Sequence, residues 1–286
     1  MNTLPIKIIF HILNNLENAI DIFNFSLTCK HNRNIVNNNI EVFNCVSEVD
    51  IKYINDKSVI FGKLKINITD KSITDLEILK NIDLINVIEI DLNKCIKLTD
   101  ISILKFIYKI NFTDCRGITD VGMLGNCEEL NLTSCNNIND VSKLGKVKKL
   151  NLSMCYKIID VSNLGNVEEL NLSFTNISDV SMLGNVKKLD LSYCYNIIDV
   201  SILGNVEELD LSGSEIIDVS KLRRVKKLNL IGCYSITDVS MLGNCEELNL
   251  TRCERITDVS MLGKVKKLNL SECYNIIDVS MLGNVE

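Results

Sequence analysis

Val147–Gly165 reads VKKLNLSMCYKIIDVSNLG. Leu150, Asn151 and Leu152 alternate apolar, polar, apolar, which is the pattern of a short strand with one face buried. Cys155, Ile158, Val161 and Leu164 follow at spacings that carry the chain round a turn and back along the other side. The stretch recurs. Paired anchors stand at Ile90/Leu92, Ile110/Phe112, Leu130/Leu132, Leu150/Leu152, Leu170/Leu172, Leu189/Leu191, Leu209/Leu211, Leu228/Leu230, Leu248/Leu250 and Leu268/Leu270, in steps of 19 or 20 residues. A fixed period of this size marks a solenoid, whose units bury their apolar faces against one another. A strand and two turns leave about ten residues for the outer side, too few for an α-helix, so extended chain or single 3₁₀ turns are expected there.

A second period overlies the first. The two residues before each first Leu anchor alternate in sign: Glu128-Glu129, Lys148-Lys149, Glu168-Glu169, Lys187-Lys188, Glu207-Glu208, Lys226-Lys227, Glu246-Glu247, Lys266-Lys267. The larger units are therefore 128–167, 168–206, 207–245 and 246–285, as tandem duplication of a repeat pair would leave them. Equivalent positions of a parallel stack lie ~4.8 Å apart, so a single-sign row would repel itself and an alternating one pairs. A slip of one repeat would set like charges together, which pins the register.

The unit resembles the leucine-rich repeat, LxxLxLxxCxxI. The 20-residue units match its cysteine-containing variant. The two 19-residue units, with Thr175 and Ser214 at the Cys position and Ile177 and Ile216 two residues on, match LxLxxNxL. The I-x-D-V-S-x-L segment is closer to internalin-like repeats. The resemblance implies an α/β solenoid: a horseshoe or arc with one parallel sheet of about ten strands and short convex segments.

Residues 1–45 do not repeat. Pro5 suits a helix start, and Ile8, Ile9, Ile12, Leu13 and Leu16 form an i, i+4 stripe. The order LPxxxxxxIL…D…SLxCK, carried by Leu4, Pro5, Ile9, Ile12, Leu13, Asp21, Leu27 and Cys29, resembles an F-box, a small helical module. The acidic residue often found after Leu-Pro is replaced by Ile6-Lys7, and Phe43 stands where a Trp often lies. Residues 46–89, with Leu64-Lys-Ile66 and Ile73-Thr-Asp75-Leu, read as a degenerate first repeat that caps the core. Residues 90–286 hold about ten repeats, the last incomplete. There the chain stops short of the next Leu-x-Leu strand, and the expectation is an uncapped edge open to self-association.

Composition narrows the function. Of 286 residues only His11 and His31 are histidines, Ala19 and Pro5 are the lone alanine and proline, and Trp is absent. His-based acid–base chemistry has no material beyond residue 31. The net charge is −6 with no block of five like charges, which argues against a nucleic-acid tail or a polybasic membrane patch. The Asn/Ile/Lys-rich coding bias resembles that of giant DNA viruses of amoebae. Ile8–Leu13 is too short for a membrane span and lacks a cleavage site. The Asn-Leu-Ser/Thr sequons at Asn131, Asn151, Asn171, Asn249 and Asn269 fall on the expected strands, where glycans would crowd a packed surface. A cytoplasmic protein is expected, in the host cytoplasm if viral.

Cys95, Cys115, Cys135, Cys155, Cys194, Cys233, Cys253 and Cys273 hold one repeat position. Their spacing lacks the CxxC of a zinc site, and Thr175 and Ser214 take the place twice, so a buried ladder of thiols bonded to backbone carbonyls is expected, not a metal centre. The row Asp100, Asp120, Asp140, Asp160, Asp179, Asp199, Asp218, Asp238, Asp258 and Asp278 is expected to accept backbone N–H bonds at the turn into Val-Ser. No GxSxG, HExxH or GxxxxGK[ST] is present. No catalytic residue, cofactor or metal is assigned.

The concave face is expected to carry the charge row, an Asn/Asp row and a mostly Ser/Thr row, with aromatics just beyond. Candidate target-binding residues are Lys149, Asn151, Glu169, Asn171, Lys188, Asp190, Glu208 and Asp210, with Tyr156, Phe174, Tyr193 and Tyr234 at the rim. Aromatic side chains are favoured binding anchors. The alternative is that duplication copied a Tyr that merely covers the turn. The paired resemblances imply a substrate-recognition subunit of an SCF-type ubiquitin ligase. Leu4, Pro5, Ile9, Ile12, Leu13 and Leu27 would bind the cullin adaptor, and the repeats a protein target. The alternative is a repeat scaffold on which residues 1–45 form a helical cap. Partners in both are proteins, with no nucleic acid and no membrane.

Overall fold

The computed structural model describes residues 46–50, 63–68, 71–76, 79, 84 and 87–283. The expected helical module, including Leu4, Pro5, Ile9, Ile12, Leu13 and Leu27, lies outside the described residues. Among the described residues twelve strands form one parallel sheet in strict chain order. They are β1 (Val46–Asp50), β2 (Lys63–Asn67), β3 (Val87–Asp91), β4 (Lys109–Asn111), β5 (Glu129–Asn131), β6 (Lys149–Asn151), β7 (Glu169–Asn171), β8 (Lys188–Asp190), β9 (Glu208–Asp210), β10 (Lys227–Asn229), β11 (Glu247–Asn249) and β12 (Lys267–Asn269). From β3 to β12 the register never slips. Leu150 pairs with Leu170, Leu170 with Leu189, and the charged residue before each Leu faces one of opposite sign. Between β2 and β3 one irregularity interrupts the register, where the step from Ile66 to Ile90 is longer than the repeat.

The core is one continuous column. Each turn contributes the same set, for example Leu150, Leu152, Cys155, Ile158, Val161, Leu164 and Val167, all essentially inaccessible. The outer side holds single 3₁₀ turns, such as Gly122–Leu124, Ser201–Asn205 and Ser240–Leu242, and no α-helix among the described residues. Each aspartate of the outer row sets its turn. Oδ1 of Asp140, Asp160 and Asp199 accepts the N–H of Ser142, Ser162 and Ser201 at 2.8–2.9 Å. These bonds pull the carboxyl pKa values of Asp140, Asp160 and Asp199 down.

The glycine of the L-G-N step is there for closeness and not for conformation. Gly125 has φ −60°, open to any residue. A Cβ there would run into the carbonyl oxygen of Lys143 in the next unit, and at Gly165 into that of Met182.

The thiol ladder is present. Sγ of Cys115, Cys135 and Cys155 donates to the carbonyls of Leu92, Phe112 and Leu132 of the preceding unit at 3.0–3.1 Å. Thr175 and Ser214 also bond backbone carbonyls, but those of Leu172 and Leu211 in their own unit, three residues back. The C–O bond is shorter than C–S and does not reach across. Burial pushes the Cys155 thiol up to about 11 and those of Cys115 and Cys127 up to about 12.

Candidate interaction surface

The strands present one long open trough, running from Glu89 to Asn269. Three rows line it. The first is the charge row, and the two residues of the first three Lys-Lys pairs turn opposite ways, whereas Lys266 and Lys267 both reach back, to Glu246 and Glu247. Lys148 Nζ reaches back to Glu128 at 3.0 Å, and Lys149 Nζ reaches forward to Glu169 at 3.2 Å. The pattern returns with Lys187 to Glu168 and Lys188 to Glu208, then with Lys226 to Glu207 and Lys227 to Glu247. In those three pairs one member ties the halves of a 39- or 40-residue unit together and the other ties successive units. These side chains are half exposed, and such pairs contribute little individually. Hydrogen bonding to Glu129 raises the Lys109 pKa, and hydrogen bonding from Lys226 lowers that of Glu207.

The second row, holding Asn151, Asn171, Asp190 and Asp210, is half-buried and engaged. Oδ1 of each accepts the N–H two residues on, from Ser153, Ser173, Ser192 and Ser212, at 2.8–2.9 Å. Asn171 Nδ2 also donates to Asp190 Oδ2 at 2.9 Å. These groups end the strand by an Asx turn. The third row departs from expectation: Ser153, Ser173, Ser192 and Ser212 are buried, not displayed. The hydroxyls of Ser173 and Ser192 donate to the same Asn or Asp oxygen at 2.7 Å.

Beyond the Asx turn the chain passes through the left-handed region once in every unit. Lys94, Asp114, Ser134, Met154, Phe174, Tyr193, Arg252 and Glu272 have φ between 57° and 62°, and Gly213 and Gly232 fill the same place. An aromatic residue there is strained. The ladder offsets the strain: the N–H groups of Phe174 and Tyr193 donate to Ser192 O and Ser212 O at 2.9 and 2.7 Å. The conformation throws the side chain onto the rim. Phe174 and Tyr193 stack with centroids 4.5 Å apart, and Tyr195 meets Tyr193 edge-on at 6.3 Å. Gly213 makes room, since a Cβ there would strike the Tyr193 ring.

The structure thus separates the twelve candidates. Lys149, Glu169, Lys188 and Glu208 are on the trough and tied to one another. Asn151, Asn171, Asp190 and Asp210 serve the turn. Phe174 and Tyr193 form one rim stack, and Tyr156 and Tyr234 lie two residues further, each about half exposed. Met154, 37% exposed at the end of the stack, was not singled out by the sequence pattern. Its register with Phe174 and Tyr193 was the available signal.

Comparison with known proteins completes the description. Residues 1–44 match the family model for the F-box domain. An internalin of Listeria monocytogenes is similar in structure, with TM-score 0.60 at 18% identity over 87% of each chain. A leucine-rich-repeat protein of Leptospira interrogans matches with TM-score 0.57 at 20% identity, over 72% of this chain and 60% of that one. The fold is that of a leucine-rich-repeat protein. At these identities the likeness concerns the fold alone. No curated protein matches the chain in sequence. F-box and leucine-rich-repeat families are typically non-enzymatic interaction modules. Among the described residues no group of three or more His, Cys, Asp or Glu could hold a metal ion, and no helix is long and apolar enough to cross a membrane.

Proposed function

We propose that the chain is a substrate-recognition subunit of an SCF-type ubiquitin ligase, working in a cytoplasm. The observation that carries the reading is one chain in which an F-box match over residues 1–44 precedes a leucine-rich-repeat sheet. The two halves divide the labour. Residues 1–44 dock on the cullin adaptor through Leu4, Pro5, Ile9, Ile12, Leu13 and Leu27, while the repeats hold a protein target on the rim and trough. No residue of this chain handles ubiquitin; its contribution is to hold two proteins together at effective concentrations far above those in solution.

The test is capture. The full chain, expressed with an affinity tag in eukaryotic cells, is expected to co-purify the cullin adaptor. Leu4→Ala, Pro5→Ala and Ile9→Ala together are expected to abolish capture while the cooperative unfolding of the repeats is unchanged. A wild-type chain that captures no adaptor would establish the plain repeat scaffold instead.

A further inference from the structure

Five residues past each Asn or Asp that ends a strand lies a second rim position. In successive units from β6 it holds Tyr156, Asn176, Tyr195, Glu215, Tyr234, Glu254 and Tyr274. The paired strands put them on successive rungs at one offset, with Asn176 and Glu215 directly before the buried Ile177 and Ile216 because their loops are one residue shorter, and side-chain amides stitch the loops together: Asn176 Nδ2 donates to Tyr156 O at 2.8 Å and Asn275 Nδ2 to Glu254 O at 2.6 Å. The tyrosines are 47%, 57%, 54% and 75% exposed. Glu215 and Glu254 are exposed and form no ion pair among the described residues. Of the cations beside the line, Lys157 Nζ is held by Asn137 Oδ1 at 2.7 Å and Arg252 by Glu272 at 2.7 Å, while Arg255 follows Glu254 in the chain and forms no ion pair among the described residues.

Tyrosine therefore stands on every second rung, with a carboxylate between the last three. Two rungs span ~9.6 Å at the usual strand spacing. A polyproline-II segment repeats its face every third residue, over about 9.3 Å. A β-strand repeats its face every ~6.7 Å and an α-helix every ~10.5 Å, so both drift out of step within a few rungs. Ring faces and free carboxylates call for a planar cation that can stack on the one and pair with the other, which is arginine.

We infer that this line is a docking track for an extended polyproline-II segment of a partner protein bearing arginine at every third position. The inference rests on the reading of the repeats as a target-binding surface and names the chemistry of the target. Glu215 and Glu254 draw the segment in, and the tyrosines fix its register.

The test uses the full chain and a fluorescein-labelled peptide of four Arg-Pro-Pro units, followed by anisotropy. Binding is expected, weakened about tenfold by Tyr195→Ala with Tyr234→Ala, each ring supplying roughly a three-fold share. Glu215→Gln with Glu254→Gln, which keeps size and shape, is expected to weaken it at low salt and to matter little at high salt. A peptide of the same composition with arginine at every second position is expected to bind at least fivefold more weakly. Equal binding of the two peptides, no binding up to about 1 mM, or indifference to both variant pairs would each overturn the track. Adaptor capture through residues 1–44 is measured separately. A chain that captures the adaptor but ignores the peptide disproves the track and leaves the ligase reading standing.

Discussion

Asn171 looks like a binding residue from its place on the trough, yet its bonds say that it holds the fold. Its Oδ1 accepts the Ser173 N–H at 2.8 Å and the Ser173 hydroxyl at 2.7 Å, and its Nδ2 donates to Asp190 Oδ2 at 2.9 Å. Asn171→Ala removes all three and leaves the N–H of a serine only 7% exposed without a partner. At about 0.5–1.5 kcal/mol net per bond, the gross loss is roughly 1.5–4.5 kcal/mol. Asn171 is half-buried, so water recovers part of it, and about 2–3 kcal/mol remains. Urea unfolding followed by far-UV circular dichroism reads this as a lowered midpoint. Asn171→Asp keeps the acceptor, loses the donor, and puts a third carboxylate in line with Asp190 and Asp210. Its loss is expected to be smaller and partly relieved by salt. Tyr156→Ala, an exposed rim change, is expected to leave the midpoint within about 0.5 kcal/mol of the parent. If Asn171→Ala also stays within that margin, the row is not structural and its polar groups are free for a partner.

Two further outcomes follow from the same geometry. Burial raises the thiol pKa values, Cys155 and Cys245 to about 11 and Cys253 to about 12, from an ordinary value of 9.0. The unfolded chain therefore releases these protons first, and stability should fall as pH rises from about 9 towards 11. Midpoints measured from pH 7 to 10 test this, and a flat profile would refute it. Lys148→Glu with Lys149→Glu breaks the pairs to Glu128 and Glu169 and sets three acidic rungs side by side. A modest destabilisation that shrinks towards about 1 M salt is expected; a salt-independent loss would place the effect in packing.

The strands, the column of buried apolar residues and the short outer turns were legible because period and alternation report directly on burial. Other features needed coordinates. A polar row on an exposed face reads the same whether it greets a partner or closes a turn; only the bonds from Asn151 Oδ1 and its equivalents decide. The left-handed residues Met154, Phe174 and Tyr193 run against propensity and carry no local signal. They are tolerated because the neighbouring unit accepts their N–H groups. The glycine of the L-G-N step looks like a turn residue. Its reason is a carbonyl of the next unit, which lies roughly a full repeat further along the chain.

A solenoid gives every equivalent residue nearly the same surroundings, so variation along one row is itself informative. A row that serves packing or turning has the same physical demand in each unit. The leucine anchors, the outer aspartates and the Asn/Asp row meet it with nearly constant chemistry. The two rim rows do not. The left-handed position runs through Ser134, Met154, Phe174, Tyr193, Gly213 and Arg252, and the next through Tyr, Asn and Glu. Nothing in the fold asks for Phe at a φ of 57° when glycine fills the place at lower cost. Strain tolerated where the scaffold gains nothing, beside exposed rings and unpaired carboxylates, supports the proposal that a partner is recognised on the rim. The trough between its zippered charges is then the frame that keeps those rows straight.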